Sequence, residues 1–361
     1  MTKTARFFDE LAKSGFDAAL ISSPLNQRYL SGFDYSDGYI LVTRSRAFAL
    51  ADFRYIEAAK EALSGSEFEV IQPSGSMLIE LSSLLCENEV RSLIIEDAYV
   101  SCAELERYKR AFSDNVEISG GASKILAKMR EVKNADEIEK MKKAQEITDA
   151  AFEHILASLS PEMTEIDVAL ELEFFMRKNG AESLSFDTIA VSGSASSMPH
   201  GVPRNKKLER GFLTMDFGAR YDGYCADMTR TVVLGKADSE MKRLYNTVLS
   251  AQLAAIENYR EGESCFALDK YARDIINGAG YEGCFGHSLG HGVGMLVHES
   301  PRLSPAADKK SVLVRGNITS VEPGIYLEGK YGCRIEDMLL IDLDGSTKDL
   351  TKSRKELIEL F

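Results

Sequence analysis

Charge placed where a buried strand should be apolar constrains this chain more than any other feature. In the C-terminal half, Asp216 and Asp227 stand in LTMDFGARYDGYCADMTRT, His291 in GHSLGHGVGMLVHE, Glu322 in TSVEPGIYLEG and Glu336 in CRIEDMLLI. Val321 precedes one glutamate and Ile335 the other, so both acids lie in runs that a sheet would hide. A buried glutamate is costly unless it is paired or bound to metal. A fold that gathers these four carboxylates and the imidazole into one site concentrates negative charge that would force proton uptake. Two divalent metals would resolve that conflict.

The spacing suits such gathering. A two-residue turn centred on Tyr221 and Asp222, or on Asp222 and Gly223, sends Asp216 and Asp227 to one sheet face. A one-residue slip would separate them. Glu322 and Glu336 form a similar pair across the glycine-rich turn LEGKYG, and Arg334, two positions before Glu336, shares its face as a counter-charge or substrate clamp. Three of the five histidines, His287, His291 and His298, fall within twelve residues. Gly286, Gly290, Gly292 and Gly294 among them argue against a zinc-binding HxxxH helix and for backbone packed closely against something. His200 lies in the small-residue loop SGSASSMPHGVP, where an imidazole can face a cavity, whereas His154 sits on a helix and reads as structural.

A chain of 361 residues is long enough for two domains. From residue 16 to about 120, β-rich runs such as FDAALIS, GYILVTRSRAFALA and RSLIIEDAYVS alternate with helical stretches, predicting a small α/β domain that ends near Gly120 and Gly121. We place the boundary between 122 and 123. Residues 131–158 then carry apolar positions at helical spacing, a second helix starts at Thr164 with a capping box to Asp167 and stops near Gly180, and two more helices lie between Ser239 and Asn277. Strand pairs between and after them carry the acids, so the class is α+β. No sequence repeat is visible. The net charge of −13 argues against nucleic acid and anionic membrane as partners. The six scattered cysteines form no CxxC pair, and the polar N-terminus lacks a leader pattern, so a cytoplasmic protein is expected. Cys225, two residues before Asp227, is the thiol whose oxidation would disturb the acid-bearing strand.

Taken together, DFGARYDGYCADMTRT, GHGVG, VEPGIY and RIED occur in the order and approximate spacing of the pita-bread metallopeptidases, which residues 123–361 resemble. The preceding residues 1–122 resemble the creatinase-type N-terminal domain of aminopeptidase P and prolidase, a domain that methionine aminopeptidases lack. The resemblance implies that Asp216 binds one metal, Asp227 and Glu336 bridge both, and His291 and Glu322 complete the other. Oxygen-rich ligation favours manganese, with cobalt or zinc as alternatives. It further implies that a metal-bridging hydroxide attacks the carbonyl before proline, that Glu322 shuttles the proton, and that His298 and His200 stabilise the oxyanion. His287, Tyr326 and Arg334 would line the substrate pocket or order the ligands. Arg302 in HESPRLSP resembles the prolidase arginine that grips a dipeptide's carboxylate. The expected protein is a homodimeric Xaa-Pro peptidase acting on proline-containing peptides, with dipeptide and longer substrates both open. A metal-free creatinase-like C–N hydrolase and a non-catalytic binding module on the same fold are the competing readings; the first conflicts with the intact ligand set, and the second predicts missing acids.

Overall fold

The computed structural model describes residues 2–361. The chain divides into two compact units, one running up to Met129 and one spanning Arg130–Phe361. The division falls inside the helix Ala122–Glu131, a short way past the glycine pair.

The first unit is built on a six-stranded mixed sheet, in the order Phe68–Ile71, Ala47–Ala51, Gly38–Thr43, Ala18–Ile21, Ser92–Ile95, Glu117–Gly120. Ala18–Ile21 is buried throughout, as a central strand covered on both faces must be. The run GYILVTRSRAFALA folds as two antiparallel strands, because the Thr43 hydroxyl accepts from Arg46 N and closes a turn between them. The edge strand Glu117–Gly120 was not foreseen from the sequence pattern; its four residues carry little apolar signal.

The second unit holds two helix pairs, Ala135–Ser158 with Glu165–Lys178 and Ser239–Glu257 with Cys265–Gly278. The first helix starts at Ala135 rather than at 131, because Asn134 and Glu137 form a capping box that fixes its N-terminus. Thr164 and Asp167 cap the next as expected, and Gly180 leaves it at φ 107°. Each pair packs its own core. Ile147, Phe152, Leu172 and Met176 meet Leu213, Met215 and Phe217, while Leu244, Val248, Leu268 and Ile276 meet Val321, Leu339 and Ile341. Fully burying each of these side chains is worth about 1.5–3 kcal/mol. The architecture therefore repeats a helix-pair-on-sheet unit, although the sequence shows no repeat, since packing demands only apolar residues at the right period.

Beneath the first pair lies a four-stranded sheet, Glu359–Leu360, Met228–Leu234, Gly211–Phe217 and Ile189–Ser192, and beneath the second a five-stranded sheet, Glu299–Leu303, Gly290–Gly292, Ile318–Val321, Asp337–Ile341 and Thr347–Asp349. Strand alternation sends Leu213, Met215 and Phe217 to the helices and Asp216 to the opposite face. The five-stranded sheet does the same with Val321 and Glu322. Hydrogen bonds from Arg334 to Asp216 and from Thr229 to Glu336 join the two acid-bearing faces. Among the described residues no helix is long and apolar enough to cross a membrane.

Candidate active site

The first acid pair is set by one hairpin. Thr229 stands opposite Asp216, and the ladder continues past Gly218 to a turn at Asp222 and Gly223, closed by Tyr221 opposite Tyr224. Both turn residues have positive φ, 44° and 84°, the geometry of a two-residue hairpin loop. Of the two turn centres the sequence allowed, the structure takes this one. It puts Asp227 diagonal to Asp216 on the same face. Gly218 is obligatory there, because a Cβ would lie 1.9 Å from Ala226 O.

Glu322 and Glu336 lie between two ladder pairs of unbroken register, Val321 opposite Asp337 and Gly324 opposite Arg334, and so face each other directly. His291 occupies the short strand Gly290–Gly292, directly opposite Arg302. A Cβ at Gly290 would sit 2.0 Å from Ser320 O and one at Gly292 2.1 Å from Ser300 O, so these glycines let the flanking strands close in and no helix forms.

The carboxylates and imidazole converge. Ligand atoms of Asp227, His291 and Glu336 lie within 4.8 Å of one another, and His291 Nε2 is 3.2 Å from Glu322 Oε1 and 3.6 Å from Asp227 Oδ2. His291 Nδ1 faces Gly292 O at 3.2 Å, an atom that can only accept, so Nδ1 donates there and Nε2 is the ring atom turned to the carboxylates. Burial pushes Asp216, Asp227 and Glu336 above the ordinary carboxyl range, and their mutual negative charge adds to the effect. Glu322 goes the other way: burial opposes its ionisation, but the hydrogen bond from His291, with the positive charge of His291 and Arg334, holds it down at about 2. Asp216 Oδ1 is buried with no hydrogen-bond partner. Clustered acids, an orphaned carboxylate oxygen and an imidazole Nε2 turned inward fit divalent cations, which would give these groups a shared partner.

A hydrogen-bonded layer orders this cluster. Arg334 reaches Asp216 Oδ2 at 2.6 Å, Thr229 Oγ1 at 2.8 Å and Tyr326 OH at 2.8 Å. Thr229 Oγ1 donates in turn to Glu336 Oε2 at 2.7 Å. Tyr326 OH, accepting from Arg334, donates to His287 Nε2 at 2.9 Å, and His287 Nδ1 donates to Ser288 O. Burial lowers the His287 pKa, consistent with that neutral tautomer, and raises Tyr326 to about 12. Cys225 is buried beside the ligand strand, its thiol pushed up to about 11 by burial, so it is poorly reactive.

A cavity of about 550 Å³ opens on the cluster. Every catalytic, metal-ligand or substrate-contact candidate from the sequence lines it except Tyr326, which stands behind Arg334 and His287. His298 stacks edge-on to His291 at 4.3 Å, and His200 and Arg302 share the same wall space. His154 is elsewhere, bonded to Glu171 and stacked on Phe175. Two contributors were missed. Thr229, in ADMTRT, was legible as the same-face neighbour of Asp227; the segment Phe186–Thr188 lines the cavity through a register change that no sequence pattern signals.

The fold and site together define a two-domain hydrolase of the metal-dependent kind. Residues 139–342 match Metallopeptidase family M24 and residues 3–132 match the Creatinase/Prolidase N-terminal domain. The chain is 40% identical over 361 residues to the uncharacterized peptidase YqhT of Bacillus subtilis, covering 100% of this chain and 99% of that one. Among solved structures it superposes on the Xaa-Pro dipeptidase from Bacillus anthracis with a TM-score of 0.94 at 39% identity, covering 99% of each chain. The X-Pro aminopeptidase from Thermotoga maritima matches with a TM-score of 0.89 at 37% identity, over 96% of this chain and 98% of that one. The chain belongs to metallopeptidase family M24, in the branch that carries the creatinase/prolidase N-terminal domain.

Proposed function

We propose that this metallopeptidase hydrolyses the bond between an N-terminal residue and proline, using a dinuclear centre held by Asp216, Asp227, His291, Glu322 and Glu336. The observation that carries the reading is the convergence of these five side chains at one cavity whose wall also bears three further histidines and two arginines. The solved relatives named for Xaa-Pro dipeptides and X-Pro aminopeptidase activity support it. When bound, two divalent cations would lower the pKa of water and polarise the scissile carbonyl. The chain's own residues do the rest. Glu322, kept ionised beside His291, takes a proton from the attacking water and delivers it to the proline nitrogen as the bond breaks. His298 and His200 donate to the carbonyl oxygen as it gains charge. Arg334 fixes Asp216, and Thr229 fixes Glu336, so the acids keep their places through the cycle. Four oxygen donors to one nitrogen favour manganese over softer metals, and six free cysteines support a reducing, cytoplasmic setting.

The test is hydrolysis of an Xaa-Pro dipeptide and an Xaa-Pro tripeptide by chelated protein reloaded with manganese, cobalt or zinc. Cleavage before proline restored by metal is the expected result. Stoichiometric metal binding without cleavage of either peptide would refute the reading.

A further inference from the structure

Five carboxylates line the cavity: Asp187, Asp216, Asp227, Glu322 and Glu336. Four of them are committed to Arg334, His291, Thr229 or the proposed cations. Asp187 is not. It is exposed, and among the described residues it has no hydrogen bond or ion pair.

Its position is built by a backbone irregularity. Leu184 pairs with Ala219, and Ile189 pairs with Asp216, so four residues on one strand span what Phe217 and Gly218 span on the other. Ser185 stays in the ladder, its N bonded to Gly218 O and its Oγ to Ala219 O, both at 2.9 Å. The surplus is taken up at Phe186–Thr188. In a regular strand consecutive side chains point to opposite faces, whereas here Phe186, Asp187, Thr188 and Ile189 all line the cavity. A bulge of this kind re-aims side chains. Thr188 is only 5% exposed, yet its hydroxyl has no partner within the chain. A buried hydroxyl left unpaired at a cavity wall is satisfied by whatever fills that cavity.

The opposite sign of charge comes from another sheet. Arg302 lies on Glu299–Leu303, the edge strand of the five-stranded sheet, while the bulge runs into Ile189–Ser192, the edge strand of the four-stranded sheet. The cavity thus takes one uncommitted carboxylate from one sheet and one guanidinium from the other, with the metal-ligand candidates on strands between.

We propose that Asp187, with the Thr188 hydroxyl beside it, receives the free ammonium of the substrate's first residue, and that Asp187 and Arg302 together select zwitterionic dipeptides. This rests on the Xaa-Pro reading and adds to it the residue that recognises the amino end. The ammonium has three donors and needs acceptors; Asp187 supplies charge and Thr188 a second oxygen.

The experiment compares Ala-Pro with propionyl-proline, which has the same carbon skeleton without the amine, on manganese-loaded wild type and Asp187→Asn. The expected result is a roughly five- to ten-fold rise in KM for Ala-Pro, with the competitive Ki of propionyl-proline changed by less than about twofold. Thr188→Val should move the same way by a smaller factor. Equal effects on both ligands, or none on either, would overturn the proposal and leave the amine to the metal centre. Metal content and melting temperature matching wild type exclude a folding or loading defect, which is the outcome expected for an exposed, unpaired position. Failure of wild type to cleave Ala-Pro with any metal would instead sink the Xaa-Pro reading itself.

Discussion

Thr229→Val removes one hydroxyl from the layer behind the metal-ligand candidates. Thr229 is fully buried, and its Oγ1 donates to Glu336 Oε2 while accepting from Arg334 Nε. Valine fills nearly the same volume, so the change is chiefly the loss of two bonds. Hydrogen bonds to charged groups contribute about 1.5–3 kcal/mol each, a gross loss of about 3–6 kcal/mol. Arg334 keeps its bonds to Asp216, Tyr326 and Pro199 O, and the added methyl returns about 0.8 kcal/mol. The net cost in the cation-bound protein is then about 2–5 kcal/mol. In the cation-free protein Glu336 is held well above the usual carboxyl range by burial and neighbouring acids, so its bond to Thr229 joins neutral groups and is worth only about 1 kcal/mol. A difference of about 0.5–2 kcal/mol therefore falls on the bound state alone, weakening cation affinity by more than about twofold and up to about thirty-fold. Calorimetric titration of manganese into chelated wild type and variant measures this, with melting curves of both forms separating affinity from stability. Thr229→Ser should restore most of it. Manganese binding within about twofold of wild type would show that Thr229 does not order Glu336 in the working site.

Asp227→Asn should abolish metal-dependent cleavage without lowering the melting temperature of the chelated protein, since it removes one of several mutually repelling buried acids; retained activity would remove Asp227 from the metal centre. Chelation should make stability fall as pH rises. Asp227 and Glu336 hold their protons to higher pH when folded than when unfolded, so their contribution is complete below the ordinary carboxyl values of 3.8 and 4.5 and is lost as pH climbs above them. Glu322, at about 2, acts with the opposite sign only below pH 4.5. Melting temperatures from pH 5 to 8 with and without chelator check this, the metal-loaded protein showing the flatter curve. Arg302→Ala should raise KM for an Xaa-Pro dipeptide about tenfold more than for the tripeptide, as a lost charge-assisted contact at the proline carboxylate implies; equal effects would take Arg302 out of carboxylate recognition.

The parts of the site that could be read in advance are those governed by strand periodicity. Asp216 with Asp227, and Glu322 with Glu336, share faces because a two-residue period and a short turn allow little else, and Arg334 lands on Asp216 for the same reason. Glycine density identified the His291 strand as a place of close backbone approach, with Gly290 and Gly292 now seen against Ser320 O and Ser300 O. Helix starts were legible where a capping residue stood, at Thr164, and misplaced where an amphipathic pattern ran across a cap, at Asn134. The register change at Phe186–Thr188 had no signature, because it depends on where two separate ladders start and not on the residues between them. The doubled helix-pair architecture was equally silent, since packing fixes period and volume without fixing identity.

The four-stranded sheet brings Asp216 and Asp227, and the five-stranded sheet brings His291, Glu322 and Glu336; each sheet packs on its own helix pair, with Phe212 and Val233 of the four-stranded sheet also reaching into the second core. Cations held between them, as proposed, would be sutures between the two sheets. Withdrawing them would leave the cores and the buried Arg230–Asp337 and Arg334–Asp216 pairs in place but remove ties that add to those pairs, so amide protons on the inward strands should begin to exchange while those on the helices stay protected. The proposed catalytic centre would in that sense also be a mechanical joint, with rigidity and chemistry set by the same few atoms.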